Sequence, residues 1–397
     1  MRLAWVIAVL ALIGCAPQVR QQAGRPGTPA APAWQAPVMA PQAAATAVAR
    51  QRVGLLLPLS GPNAALGHSM LNAAQLALFE QIDPVVEFLP RDTRSSAAGA
   101  SEAARAAISD GATVLIGPLT LGETAAAAGP AQAASVPMLS FTSDESQAGN
   151  GVWVLGVTPA QVARRLASAA LSGGRRRIGL LGGDDEFGRR LGAALRNILA
   201  EAGLPAPVVM LTRPGSDAGQ NGRDFAARLA AEGGVDALIL SQAGTAARQA
   251  VQGLVAAGLA PMPRLFGTHL WAGDGQIAQE SVLAGAGFTG PDPAARNSFD
   301  NRYQDIFGER PARLAGTAYD AAALAARAAR AAHTAHAAHA AREGGRALPI
   351  GTAFQGADGP IRLMADGVLG RGLAILEFQN GQTVLREAAP IPGGAGS

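Results

Sequence analysis

From Arg52 onward the chain alternates short apolar runs with longer Ala-rich stretches whose apolar residues recur at helical spacing. Val53 to Leu59 is continuously apolar and reads as a buried strand. Ser60-Gly61-Pro62 turns it, and Ala64 to Gln81 follows as a helix with Leu66, Met70, Ala74 and Leu78 on one stripe. The cycle repeats with strands at Val85–Leu89, Thr113–Ile116 and Pro137–Phe141, separated by a helix ending near Asp110 and another beginning at Thr120. Strand–helix alternation at this spacing leaves few solutions. Parallel neighbours need a crossover, crossovers are right-handed, and the helices then cover both faces of a parallel sheet.

A second series starts after Trp153–Val157. Its first strand, Ile178-Gly179-Leu180-Leu181, echoes Val53-Gly54-Leu55-Leu56, and strands at Val208–Leu211, Ala237–Leu240 and Arg264–Gly267 complete it. Two echoing α/β lobes imply a clamshell, for which 397 residues supply enough core. The 32 basic residues are all arginine and face 29 acidic ones. The tight basic cluster Arg175-Arg176-Arg177 precedes an apolar run and reads as a loop before a strand, so no nucleic-acid partner is expected.

The N-terminus is of another kind. Met1-Arg2 is positive, and Leu3 to Ile13 is apolar but too short to span a bilayer. Leu12-Ile13-Gly14-Cys15 then contains the only cysteine. This pattern resembles a bacterial lipoprotein signal, the alternative being a plain secretory signal with a chance cysteine. The resemblance implies removal of residues 1–14, lipidation of Cys15 and tethering outside the cytoplasm. Acyl chains beyond the first make such an anchor stable. Ala16-Pro17, with no Asp after the cysteine, resembles an address for the periplasmic face of the outer membrane. Residues 15–50 are rich in Ala, Pro and Gln and read as a linker, reaching about 110 Å if its ~35 residues were fully extended at ~3.1 Å each.

Val53-Gly-Leu-Leu-Leu-Pro-Leu-Ser-Gly-Pro with Asn72-Ala-Ala-Gln-Leu-Ala-Leu resembles the opening of type I periplasmic binding proteins of the branched-chain amino-acid kind. Ile116-Gly-Pro-Leu, Val136-Pro-Met-Leu-Ser, Asp184-Asp-Glu-Phe-Gly and Tyr319-Asp-Ala-Ala fall where that family has similar segments. The resemblance implies a two-lobed α/β clamshell, each lobe a mostly parallel sheet with helices on both faces. It places the bilobed part at 51–387, with lobe 1 at about 51–156 and 289–350, lobe 2 at about 157–288 and 351–387, and a flexible tail at 388–397.

Phe79-Glu-Gln-Ile-Asp-Pro-Val-Val, Asp92-Thr93 and Gly356-Ala-Asp-Gly-Pro-Ile-Arg are similar to the penicillin-binding protein activator lipoproteins. That resemblance implies a non-catalytic protein that docks on a class A penicillin-binding protein, a peptidoglycan synthase, and stimulates it. The alternative is a solute-binding lipoprotein of an ABC importer for an amino acid, amide or related small molecule. An enzyme is the third reading. It lacks a lysine for a phosphate loop and a free cysteine nucleophile.

In open α/β sheets the functional crevice lies beyond the carboxyl ends of the strands. Those ends carry the candidate ligand-binding residues Ser60, Gly61, Thr120, Thr142, Ser143, Asp144, Asp184, Phe187 and Ser241. The hydroxyls and carboxylates suit a small polar ligand, and equally suit capping of the following helices. Alignment to the amino-acid binders implies that Asp144 replaces a Thr facing the ligand carboxylate. Two like charges ~4 Å apart at an effective dielectric of ~20 repel by about 4 kcal/mol, so an amino-acid site is disfavoured. Neither a metal nor a cofactor is expected. Gly285-Ala-Gly-Phe-Thr-Gly290 matches a dinucleotide fingerprint on paper, but Pro291-Asp-Pro293 follows it where a helix should open. His333, His336 and His339 recur every third residue beside Arg327, Arg330 and Arg342, which reads as a solvated basic helix face, with a weak zinc site as the alternative.

Overall fold

The structure, a computed structural model, describes residues 50–81, 86–338 and 348–393, with side chains described to residue 331 in the second stretch. Cys15, the signal and almost all of the linker lie outside these residues, as do His339 and 394–397.

The first strand–helix series runs β1 (Gln51–Leu57), α1 (Ala64–Gln81), β2 (Val86–Asp92), α2 (Ala97–Ser109), β3 (Ala112–Ile116), α3 (Leu121–Ala133), β4 (Met138–Ser140) and β5 (Val152–Val154). Its five strands form one sheet in the order β2-β1-β3-β4-β5, with every neighbour parallel. β1 is an interior strand, which is why Val53–Leu57 reads as an unbroken apolar run. Val53, Leu55 and Leu57 point into one core, while Leu56 points into the other with Leu115 and Met138. Gly54 on that second face permits close packing. A Cβ there would come within 2.7 Å of the Leu115 side chain and 2.8 Å of Ala107 on α2.

The chain then crosses to the second lobe. There α4 (Pro159–Ser172), β6 (Ile178–Gly183), α5 (Glu186–Glu201), β7 (Val208–Thr212), α6 (Ala218–Ala231), β8 (Ala237–Leu240), α7 (Gly244–Ala256), β9 (Arg264–Gly267), α8 (Gly275–Ala278) and β10 (Gly287–Gly290) follow. It returns through α9 (Pro293–Phe307), α10 (Ala315–Ala338), β11 (Ala353–Gly356), β12 (Gly359–Leu363) and β13 (Leu369–Arg371), then ends in β14 (Ala374–Gln379) and β15 (Gln382–Glu387). The second sheet has seven strands in the order β15-β14-β10-β9-β8-β6-β7, parallel from β10 to β7 and closed at one edge by the antiparallel β14–β15 hairpin. Cores lie on both of its faces: Ile178, Leu180 and Ile239 with α4 and α5, and Leu181, Leu238 and Leu240 with α6 and α7.

Two parts depart from expectation, residues 353–371 and the tail, while the segment matching a dinucleotide fingerprint is a strand. Residues 353–371 do not join the second lobe. They form a separate antiparallel sheet, β11-β12-β13, whose Ile361, Leu363 and Leu369 alternate into the same core as Leu55 and the alanines of α10. Gly287–Gly290, the end of the paper fingerprint, is a buried strand hydrogen-bonded to β9 and β14 and not a strand-to-helix turn. The described tail residues, to 393, lie against β13: a Cβ on Gly370 would meet Pro392 at 2.8 Å, and one on Gly372 would meet the Pro390 carbonyl at 2.2 Å.

The lobes are therefore joined at three crossings, near Leu155–Thr158, Pro291–Asp292 and Gly372–Leu373. Arg371, only 3% exposed, fastens this hinge. Its Nε donates to the Leu155 carbonyl at 3.0 Å and its Nη1 to the Asp320 carboxylate on α10 at 2.7 Å.

Candidate functional site

The expected crevice residues fall into two groups. On the first lobe they serve the lobe itself. The Ser60 hydroxyl donates to Asp92 Oδ2 at 2.6 Å, and Asp92 Oδ1 accepts the backbone N–H groups of Leu59, Ser60 and Arg94. Burial works to raise the Asp92 carboxyl, but these hydrogen bonds outweigh it and hold it below the usual carboxylate value. Gly61 adopts φ +80°, the left-handed turn that lets the Ser95 hydroxyl reach the Ser60 carbonyl. Thr120 caps α3 in a reciprocal box with Glu123: the Glu123 N–H donates to its hydroxyl, and Glu123 Oε2 accepts from both its N–H and its O–H. Glu123 is buried and also accepts from the Thr93 hydroxyl at 2.6 Å.

Past β4, Thr142 is buried and accepts from the Asp144 N–H, Ser143 is exposed, and Asp144 caps the short turn at Glu145–Gln147 through the Ser146 N–H and hydroxyl. Asp144 does not face the crevice as a bare anion. Arg190, on α5 of the other lobe, places Nη1 2.5 Å from its Oδ1. Burial raises the Asp144 carboxyl, yet the Ser146 hydrogen bonds and the Arg190 charge outweigh it and keep it below its ordinary value. The repulsion expected of Asp144 toward a ligand carboxylate is thus reduced across the crevice by Arg190, whose Nε also holds Glu186 at 2.5 Å.

The second lobe is different. Asp184 is exposed and paired with Arg189 at 2.8 Å, leaving Asp185 to cap α5. That cap fixes the first turn of α5 and so the direction of Phe187. Phe187 packs edge-on to His269, ring centroids 5.8 Å apart, at the end of β9. Burial, aided by the nearby positive Arg313, lowers the His269 imidazole to about 4, so it is neutral at physiological pH. Its Nδ1 is shielded from solvent and has no hydrogen-bond partner. Ser241 is buried at the end of β8. Beside it, the Gln242 amide nitrogen donates to the Thr212 hydroxyl at 3.3 Å while its Oε1 is buried and unpartnered. Trp271 sits beneath, its indole N–H donating to the Gln242 carbonyl at 2.8 Å.

Asp144, bonded to Thr142, is thereby brought to Arg190, and Phe187 to His269. Ser60, Gly61 and Thr120 are consumed by local structure. Arg190, Arg313 and His269 were not legible as site residues, because each acts across a fold that brings distant segments together. The one sequence signal was position: Gln242 and His269 sit just beyond the carboxyl ends of β8 and β9. Among the described residues no group of three or more His, Cys, Asp and Glu is placed to hold a metal ion, and no helix is long and apolar enough to cross a membrane.

The sequence matches the family described as Periplasmic binding protein over residues 50–383. Solved structures with the same fold include a Rhodospirillum rubrum protein assigned to branched-chain amino acid ABC transport, with TM-score 0.73 and 21% identity over 85% of this chain and 100% of that one. A Rhodopseudomonas palustris ABC-transporter solute binding protein in complex with 3,4-dihydroxy benzoic acid gives TM-score 0.60 and 19% identity over 87% and 99%. The substrate binding protein LivJ from Streptococcus pneumoniae, in complex with isoleucine, gives TM-score 0.57 and 19% identity over 86% and 100%. No curated protein matches the sequence.

Proposed function

The chain belongs to the periplasmic binding protein family, and from that premise we propose that it binds a small carboxylate-bearing solute between its lobes, as a lipid-anchored component of an importer. The carrying observation is the Phe187–His269 pair, with the positive Arg313 near the imidazole and two buried polar atoms without partners, His269 Nδ1 and Gln242 Oε1. An aromatic wall takes the solute's apolar part, a guanidinium its carboxylate, and the unpartnered acceptors its N–H or O–H donors. The relatives' ligands, isoleucine and 3,4-dihydroxy benzoic acid, both carry a carboxylate. Titration calorimetry with isoleucine, benzoate and 3,4-dihydroxybenzoate tests this. Micromolar binding of one of them, weakened about tenfold in Phe187→Ala, is expected. Silence toward all three up to about 1 mM defeats it.

A second reading is a penicillin-binding protein activator, held by Cys15 and its linker to the periplasmic face of the outer membrane and read by a class A synthase. Two observations favour it. The Asp144–Arg190 pair bridges the lobes with no solute needed, and Phe79, at the segment resembling that family, is 65% exposed. Binding to the extracytoplasmic part of such a synthase, with a rise in glycan synthesis or crosslinking, supports this reading. Its absence at high micromolar concentration removes it for that partner.

A further inference from the structure

The chain passes between the lobes for the last time at Gly372–Leu373, and residues 388–393 come back across that point. Their root belongs to the second lobe. Glu387 ends β15 in register with Ile375 of β14, and its carboxylate meets Arg165 of α4 at 2.9 Å. Arg165 also donates through Nε to the Leu373 carbonyl at 2.7 Å. Ala389 then packs against the core that holds Leu376 and Phe378.

The tip belongs to the first lobe. Pro392 is buried, and Gly370 of β13 makes room for it, since a Cβ there would meet the Pro392 Cβ at 2.8 Å. Gly393 lies over the same small sheet: a Cβ on it would be 3.0 Å from Arg362 Nη1 and 3.5 Å from Met364 Cε. Between root and tip the Pro390 carbonyl covers Gly372, 2.2 Å from where a Cβ would stand, and Pro360 of β12 closes on that position at 2.7 Å. The Gly372 N–H donates to the Pro360 carbonyl at 2.8 Å. The hinge residue is thus boxed between the small sheet and the tail. The tail segment is also stiff. Pro390 and Pro392 have φ fixed at about −65°, and Ala389 and Ile391, each preceding a proline, favour extended backbone.

We propose that residues 388–393 are a strap across the third crossing that limits how far the lobes swing apart. Rotation at Gly372 carries Glu387 and Ala389 with the second lobe, while Gly370 and Arg362 stay with the first. A wide swing must therefore lift Pro392 from its seat. Seated, the strap favours the lobe arrangement of the structure; lifted, it releases the others. The strap acts whatever the crevice binds.

The test is a pulsed-dipolar distance measurement on the full-length chain in detergent, without solute. Cys15→Ser removes the native thiol, and Leu121→Cys after β3 and Arg213→Cys after β7 carry one spin label on each rim, both at exposed positions. Ending the chain at Glu387 is expected to raise the population of wider separations about tenfold, the weight of one buried side chain. Gly370→Ala leaves the tail whole and blocks the seat, and the same widening is expected; it decides the matter should the shortened chain not fold. Ile391→Ser, at a position 55% exposed, is expected to leave the distribution as in the parent. An unchanged distribution in either the shortened chain or Gly370→Ala overturns the proposal. A fall in melting temperature without widening does so too, and makes the tail a cover for β13 and nothing more. Widening in Ile391→Ser equal to that in Gly370→Ala overturns it as well, since the seat then holds nothing.

Discussion

The two rims of the crevice carry similar residues and use them differently. On the first lobe Ser60 and Thr120 spend their hydroxyls on Asp92 and Glu123, and the ends of β1 and β3 are closed networks. On the second lobe His269 and Gln242 each keep a buried polar atom without a partner. A satisfied rim is a platform, and an unsatisfied rim waits for something. Residue type alone does not separate them. Hydrogen-bond accounting does.

The contrast breaks most visibly at Glu123. Replacing it with Ala strips the Thr93 and Thr120 hydroxyls and the Thr120 N–H of their acceptor, and unfolding in urea is expected to show a loss of about 3–4 kcal/mol. A loss under about 1 kcal/mol would show the first rim to be less self-sufficient than its bonds imply.

On the second rim pH is the lever. His269 is held neutral in the folded protein, with its pKa lowered to about 4 from an ordinary 6.5. The unfolded chain takes up the proton first, so this group's stability is complete above about pH 6.5 and lost as pH falls toward 4, on the order of 3 kcal/mol at most. Melting curves from pH 7 to 4 measure it, and His269→Asn is expected to flatten that part of the slope.

Ser60→Ala removes one hydroxyl bond at an exposed turn and is expected to cost about 1 kcal/mol, with no change in solute affinity. Gln242→Leu is the converse. Its stability should move by less than about 0.5 kcal/mol, because the lost amide leaves only a long bond to Thr212, while solute affinity falls about tenfold. A reversal of those two outcomes would exchange the roles of the rims.

Most strands of the two parallel sheets were legible because their signals are local. An interior parallel strand such as β1 is apolar from Val53 to Leu57, and Ser, Thr and Asp caps mark the helices that follow. β11 to β13 were not, since a short alternating hairpin does not reveal which core it will join; packing of Ile361 and Leu363 against α10 decides that. The crevice divides the same way. Phe187 was legible from its place after β6. Asp144 was legible as an acid, but its meaning depends on Arg190, 46 positions later and on the other lobe. Ser60 and Thr120 have their hydroxyls on Asp92 and Glu123, which sequence does not reveal, because a hydroxyl that caps a turn and one that meets a ligand look alike there.

Arg371 has a mechanical consequence. One guanidinium grips a helix of the first lobe and the backbone of the first crossing, so it acts as a rivet. A riveted joint swivels but does not slide. Opening then works as a lever about a fixed fulcrum, with little travel beside Leu155 and the greatest travel at the rims. Spin labels across the rims would record a swing that a pair beside Leu155 scarcely feels.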